Sequence, residues 1–91
     1  STSDLEAIFA ELRQIADIEV AHGKAIFCVV GENLKQTHGI ISRIFSSLER
    51  KSVSVHMISL GASEINLTFV VDGQDIRKTA QALHDEFFGR P

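Results

Sequence analysis

Four histidines, His22, His38, His56 and His84, and a single cysteine, Cys28, are the residues of this 91-residue chain with the widest chemical range. Neutral imidazole and thiolate are the usual ligands of zinc, but a zinc site needs them at short, paired spacings. The histidines fall in four separate stretches, so metal binding is not expected. Cys28 lies inside Ala25–Val30, the most apolar run, with no cationic neighbour in sequence to stabilise a thiolate, and reads as an inert buried thiol. Phe27 and Phe69 fall on strand-like stretches and could stack bases. The glycine- and aromatic-rich signature of an RNA-binding sheet is absent, however, and nine Lys and Arg against twelve Asp and Glu give a net charge of −3. Both rings are expected in the core, and neither nucleic acid nor a catalytic nucleophile is expected.

The elements that position these residues follow from hydrophobic periodicity. Leu5, Ile8, Phe9, Leu12 and Ile15 recur at helical spacing, and Ser3 with Glu6 has the spacing of a capping box, which predicts a helix over Asp4–Ala16. Ile18 and Val20 then alternate with polar neighbours, His22-Gly23 supplies a turn, and Ala25–Val30 forms a second strand apolar enough to be buried on both faces. After the polar loop Glu32–His38, the stripe Ile40, Ile41, Ile44, Phe45 and Leu48 predicts a second helix. Val53, Val55 and Met57 alternate with Ser54 and His56, and Ile65, Leu67, Phe69 and Val71 with Asn66 and Thr68, giving two strands about a Gly61-containing turn. Asp72 is placed to cap a last helix, whose stripe Ile76, Ala80, Leu83 and Phe87 ends near Gly89.

The order is α-β-β-α-β-β-α. From Ala25 it reads β-α-β-β-α, one strand short of the ferredoxin-like β-α-β-β-α-β pattern. The hairpin partner, residues 17–22, can fill the vacant slot beside the first strand. The expectation is therefore an α+β domain over 17–91, with a core unit 24–88 and a permuted strand 17–22. Its antiparallel sheet carries helices on one face, and residues 1–16 form an extra helix whose apolar stripe asks for another sheet to cover it. No apolar stretch approaches the roughly 20 residues of a membrane span and no basic leader precedes it, so a membrane is not expected as a partner. The lone cysteine suits a cytoplasmic setting.

Several pieces in order carry a family resemblance: Val30-Gly31-Glu32-Asn33, Gly39-Ile40, Met57-Ile58-Ser59, Ser63-Glu64-Ile65-Asn66 and Ala82-Leu83-His84-Asp85-Glu86-Phe87-Phe88. Together they resemble the C-terminal regulatory ACT domain of aspartate kinases, over about two-thirds of the chain. The resemblance implies a pair of interleaved ACT units, with residues 1–16 belonging to the preceding one. It also implies a kinase domain upstream of Ser1 that uses ATP and Mg²⁺ to phosphorylate aspartate, the first step towards lysine, threonine and methionine. No Gly-rich phosphate cradle or acidic metal cluster occurs in the chain itself, so regulation rather than catalysis is expected of it, with no cofactor of its own.

The resemblance further implies where an effector amino acid, lysine or threonine, would sit. One segment is Asn33, Leu34, Thr37, His38, Gly39, Ile40 and Ile41, where backbone N–H groups at a helix start suit a carboxylate and Gly39 permits close approach. The other is Ser63, Glu64 and Asn66, whose carboxylate and amide suit an ammonium group. Both have plainer readings: Thr37–Gly39 can simply begin a helix, and Glu64 and Asn66 can simply face solvent or a subunit interface. The chain departs from lysine-binding units at His56, where those carry Asp. Two function classes follow. One is an allosteric module that senses an end product together with a second ACT unit and a homodimer partner. The other is a non-binding ACT unit that serves dimerisation and structural coupling only. A stand-alone acylphosphatase-like enzyme is disfavoured, because the first-strand loop has no anion-binding Arg.

Overall fold

The computed structural model describes residues 2–33, 38–61 and 66–89. Its elements are α1 (Thr2–Leu12), β1 (Ala16–Ala21), β2 (Lys24–Val30), α2 (Ile40–Arg50), β3 (Val55–Leu60), β4 (Asn66–Asp72) and α3 (Ile76–Phe88), with short 3₁₀ turns at Gly31–Asn33 and Gly73–Asp75. The four strands form one antiparallel sheet in the order β1-β2-β4-β3. This is the ferredoxin-like arrangement with the N-terminal strand in the place of the last one, as the hairpin argument requires.

The hairpin turns at His22 and Gly23, both at positive φ (52° and 74°), the left-handed pair whose twist matches that of the flanking strands. It sets the register Ile18 opposite Phe27, and β2 in turn sets Phe27 opposite Phe69. Ala25, Phe27, Val29, Leu67, Phe69 and Val71 thus share one face and are all buried, beneath Ile44 and Leu48 of α2 and Ala80 and Leu83 of α3. Phe27 and Phe69 stack with ring centroids 5.4 Å apart and planes 4° apart, and Phe45 meets Phe69 edge-on at 5.8 Å. With both rings fully buried, base stacking by Phe27 or Phe69 is excluded and their expected core role holds.

The opposite face carries Ile26, Cys28, Val30, Thr68 and Val70, each half-buried. Cys28 is therefore on the open face rather than fully buried as expected, because β2 is covered by helices on one side only.

Three local readings change. The first helix ends at Leu12, not Ala16. There the chain tightens through Gln14 N–H donating to Glu11 O and Ile15 N–H to Leu12 O, so Ile15 reaches the core from a turn. Leu12 is completely buried in this chain's own core, and Ile8 and Phe9 pack against it. In β3 the alternation breaks at a bulge between Val55 and Met57, after which Ile58 opposes Phe69 and Leu60 opposes Leu67. Asp72 makes no capping bond. It closes β4, its carboxylate is held across the sheet by Lys24 Nζ at 2.9 Å and His56 Nε2 at 3.0 Å, and α3 starts only at Ile76.

Candidate functional site

The register decides which candidate residues meet. β2 and β4 are antiparallel with Val30 opposite Asn66, so the end of β2 and the start of β4 lie side by side at one end of the sheet. The Gly31–Asn33 turn leaves β2 at that end, and Asn33 Nδ2 donates to Gln14 O at 3.3 Å, tying it to the turn after α1. The Gly31–Asn33 turn and Asn66 therefore meet at one end of the sheet, although more than thirty residues separate them in sequence. Leu34 and Thr37 of the first segment, and Ser63 and Glu64 of the second, lie outside the described residues.

Gly39 is the clearest local feature. It sits at φ 67°, ψ 20° directly before α2, and its carbonyl accepts the N–H of Arg43 at 2.9 Å. That left-handed conformation is open to glycine and strained for a β-branched residue. A Cβ built at Gly39 would meet nothing within 4 Å among the described residues. His38 beside it is exposed, and no side chain among the described residues caps α2. Its first N–H groups are the kind that receive an anion. Ile40 is 2% exposed and points into the core, so it can offer only its backbone, whereas Ile41 is 42% exposed. Asn66 is half-buried, and its carbonyl accepts the N–H of Gly61 at 2.9 Å, closing the β3–β4 turn.

His56 lies elsewhere. It is on β3 at the other end of the sheet, beside Asp72 and Lys24. The Lys24 ammonium first, and the His56 ring second, hold the Asp72 carboxyl below the usual carboxylate range. Sequence reasoning missed this trio, because its members are 48 and 16 residues apart and only the register brings them together.

The helices that back the site are pinned to each other. Arg43 Nε donates to Glu86 Oε1 at 2.9 Å and its guanidinium lies 4.8 Å from the Phe87 ring centre, joining α2 to α3. His84 Nε2 lies 2.9 Å from Glu11 Oε1 and stacks on Phe88, joining α3 to α1. Among the described residues no three His, Cys, Asp or Glu side chains come together to hold a metal. No helix among them is long and apolar enough to cross a membrane.

A model of the ACT domain matches residues 27–87. The chain belongs to the ACT domain family. Within it, the relatives are aspartate kinases: the chain is 35% identical over 83 residues to the aspartokinase of Schizosaccharomyces pombe, and 38% identical over 85 residues to the chloroplastic aspartokinase 1 of Arabidopsis thaliana. These alignments cover 91% and 93% of this chain but 16% and 15% of those proteins, so the chain spans about one-sixth of their length. The solved aspartate kinase of Clostridium acetobutylicum, reported as an allosteric enzyme, superposes with a TM-score of 0.64 at 31% identity, over 81% of this chain and 17% of that one. The resemblance to the regulatory ACT domain of aspartate kinases, carried by the ordered motifs, holds.

Proposed function

We propose that this chain is an effector-sensing unit of an aspartate kinase, with an end-product amino acid, lysine or threonine, bound by Asn33, His38, Gly39, Ile40, Ile41 and Asn66. Leu34, Thr37, Ser63 and Glu64 complete the residue set by resemblance. The observation that supports this reading is the Val30–Asn66 register, which sets the Gly31–Asn33 turn, on the path to the uncapped start of α2, beside a strand end suited to an ammonium. The effector favours one arrangement of paired ACT units, and that preference passes to a kinase domain that uses ATP and Mg²⁺ in the cytoplasm. Such coupling needs different affinities in two states, typically worth about 1–3 kcal/mol. The helix α1 is read as the end of the preceding ACT unit, docked on α3 through Glu11 and His84.

A second reading, in which the unit serves assembly alone, is supported by β3. This edge strand exposes Met57, Ile58 and Leu60 at 66%, 54% and 56% and offers an unpaired row of backbone groups to a second ACT unit or a homodimer partner. Amide NMR titration with lysine, then threonine, separates the two. Saturable shifts across residues 33–41 and 63–66 with one amino acid only are the expected result, and no response from the paired form assigns the unit to assembly. Gly39→Val should weaken the response at least about tenfold while the fold survives, since no described residue crowds a Cβ at Gly39 and backbone strain is the main cost. Unchanged affinity in that variant removes the 33–41 segment from the site.

A further inference from the structure

A concavity lies among residues that take no part in the effector reading. A groove of about 580 Å³ runs between α1 and α3 and is lined by Asp4, Leu5, Ile8, Lys51, Arg77, Lys78 and Gln81. Its volume falls in the range of small-molecule sites, roughly 300–1,000 Å³. Among the described residues, three cations line it against the one carboxylate of Asp4, on a chain whose net charge is −3. Arg77 and Lys78 make no ion pair among the described residues, and Lys51 Nζ reaches Asp85 Oδ2 only at 3.8 Å, too long for a hydrogen bond. Gln81 is already turned to Asp85, at 2.7 Å, so the groove's free polar capacity is cationic. Leu5 and Ile8 supply an apolar wall.

From this lining we infer that the groove is an anion site for an organic diphosphate, whose phosphate oxygens meet Arg77, Lys78 and Lys51 while an apolar or aromatic moiety rests on Leu5 and Ile8. Charge selects this class. A zwitterionic amino acid carries one carboxylate and at least one ammonium, and the second is repelled by three cations, so the effector of the sheet end is a poor fit here. A phosphate pair carries enough negative charge to engage all three cations, and guanidinium and ammonium both bind phosphate well. The inference stands apart from the effector reading, because the two sites share no residue.

The test is an NMR titration of the 91-residue chain with adenosine diphosphate, chosen as a probe that joins two phosphates to a flat ring, and with inorganic pyrophosphate. Adenosine diphosphate should give saturable shifts at Leu5, Ile8, Arg77, Lys78 and Gln81, bind more tightly than pyrophosphate, and weaken as salt rises. Arg77→Gln and Lys78→Gln, both at exposed positions, should each weaken binding about tenfold, or about 1.4 kcal/mol, with the spectrum otherwise native. The inference is overturned by an absence of saturable shifts up to about 10 mM, which corresponds to less than about 3 kcal/mol of binding. It is equally overturned by unchanged affinity in the double variant, by shifts scattered over Lys24, Arg43 and Arg50 as well, or by pyrophosphate binding as tightly as adenosine diphosphate.

Discussion

The two strands that flank β4 meet it in opposite ways. On one side β2 pairs along its whole length without interruption, from Lys24 opposite Asp72 to Val30 opposite Asn66, and every second residue of both strands is buried under the helices. On the other side β3 slips at a bulge, and beyond it Ile58 and Leu60 oppose the same buried Phe69 and Leu67 while remaining more than half exposed. Facing the helix side is therefore not enough for burial. A strand residue is buried only where a helix or a further strand also covers it, and the helices sit over β2 and β4 rather than over the β3 edge. The β2–β4 pair holds the fold, and β3 keeps an exposed apolar edge.

The largest effect that would break this contrast lies at its centre. Phe69→Ala removes a fully buried ring that stacks on Phe27 and meets Phe45, and it should cost about 3–5 kcal/mol in chemical denaturation. A loss below about 1 kcal/mol would place the ring outside a packed core. The next largest is at the hairpin end of the same pair. Gly73 N–H donates to Gly23 O at 2.8 Å, and a Cβ at Gly73 would lie 2.9 Å from that oxygen, so two backbone segments have to move apart. Gly73→Ala should destabilise by about 1–3 kcal/mol, the range of an overpacked site. A neutral result would mean that the 3₁₀ turn gives way freely.

A smaller effect sits where the two sides are stitched together. Asp72 on β4 joins Lys24 on β2 and His56 on β3, and its carboxyl titrates below the ordinary value of 3.8. A depressed folded pKa adds stability above the unfolded value, and that stability is lost as pH falls from 3.8 through the folded pKa. The dependence of the urea midpoint on pH between about 6 and 3 should therefore flatten in Asp72→Asn, and added salt should flatten it in the unmodified protein. An identical pH profile in the variant would show that the trio does not couple the strands.

The same contrast explains what was legible in the sequence. The stripes of α2 and α3 and the alternation of β4 are strong periodic signals, and the His22-Gly23 turn set the β1–β2 register, so sheet order and core followed. The bulge of β3 left no mark, since Val53, Val55 and Met57 alternate as smoothly on paper as Leu67, Phe69 and Val71, and an inserted residue is a backbone event. Asp72 read as a helix cap because an Asp at the end of a strand and before an apolar helical stripe fits a local rule, whereas a 3₁₀ turn separates it from α3 and its partners come from register. Of the candidate site, the two segments are proposed from motif order alone. That Ile40 turns inward after a left-handed Gly39, and that Asn66 opposes Val30, depended on the three-dimensional path.

The smallest expected effect is the sharpest test of the division. Replacing Ile58 and Leu60 together by Thr keeps β-branched or strand-compatible side chains and removes apolar surface that is already 54% and 56% exposed. Surface substitutions of this kind stay within about 0.5 kcal/mol, so the denaturation midpoint should scarcely move. If β3 is the edge that a second ACT unit covers, the same pair of changes should still lower self-association in sedimentation, because the lost apolar area matters only in the assembled state. Stability that falls with the double change would mean that β3 belongs to the core after all, and association that survives it would move the interface to the open face of Ile26, Cys28 and Val70. Only an unchanged monomer with weakened pairing leaves β2–β4 as the folding centre and β3 as the surface kept for a partner.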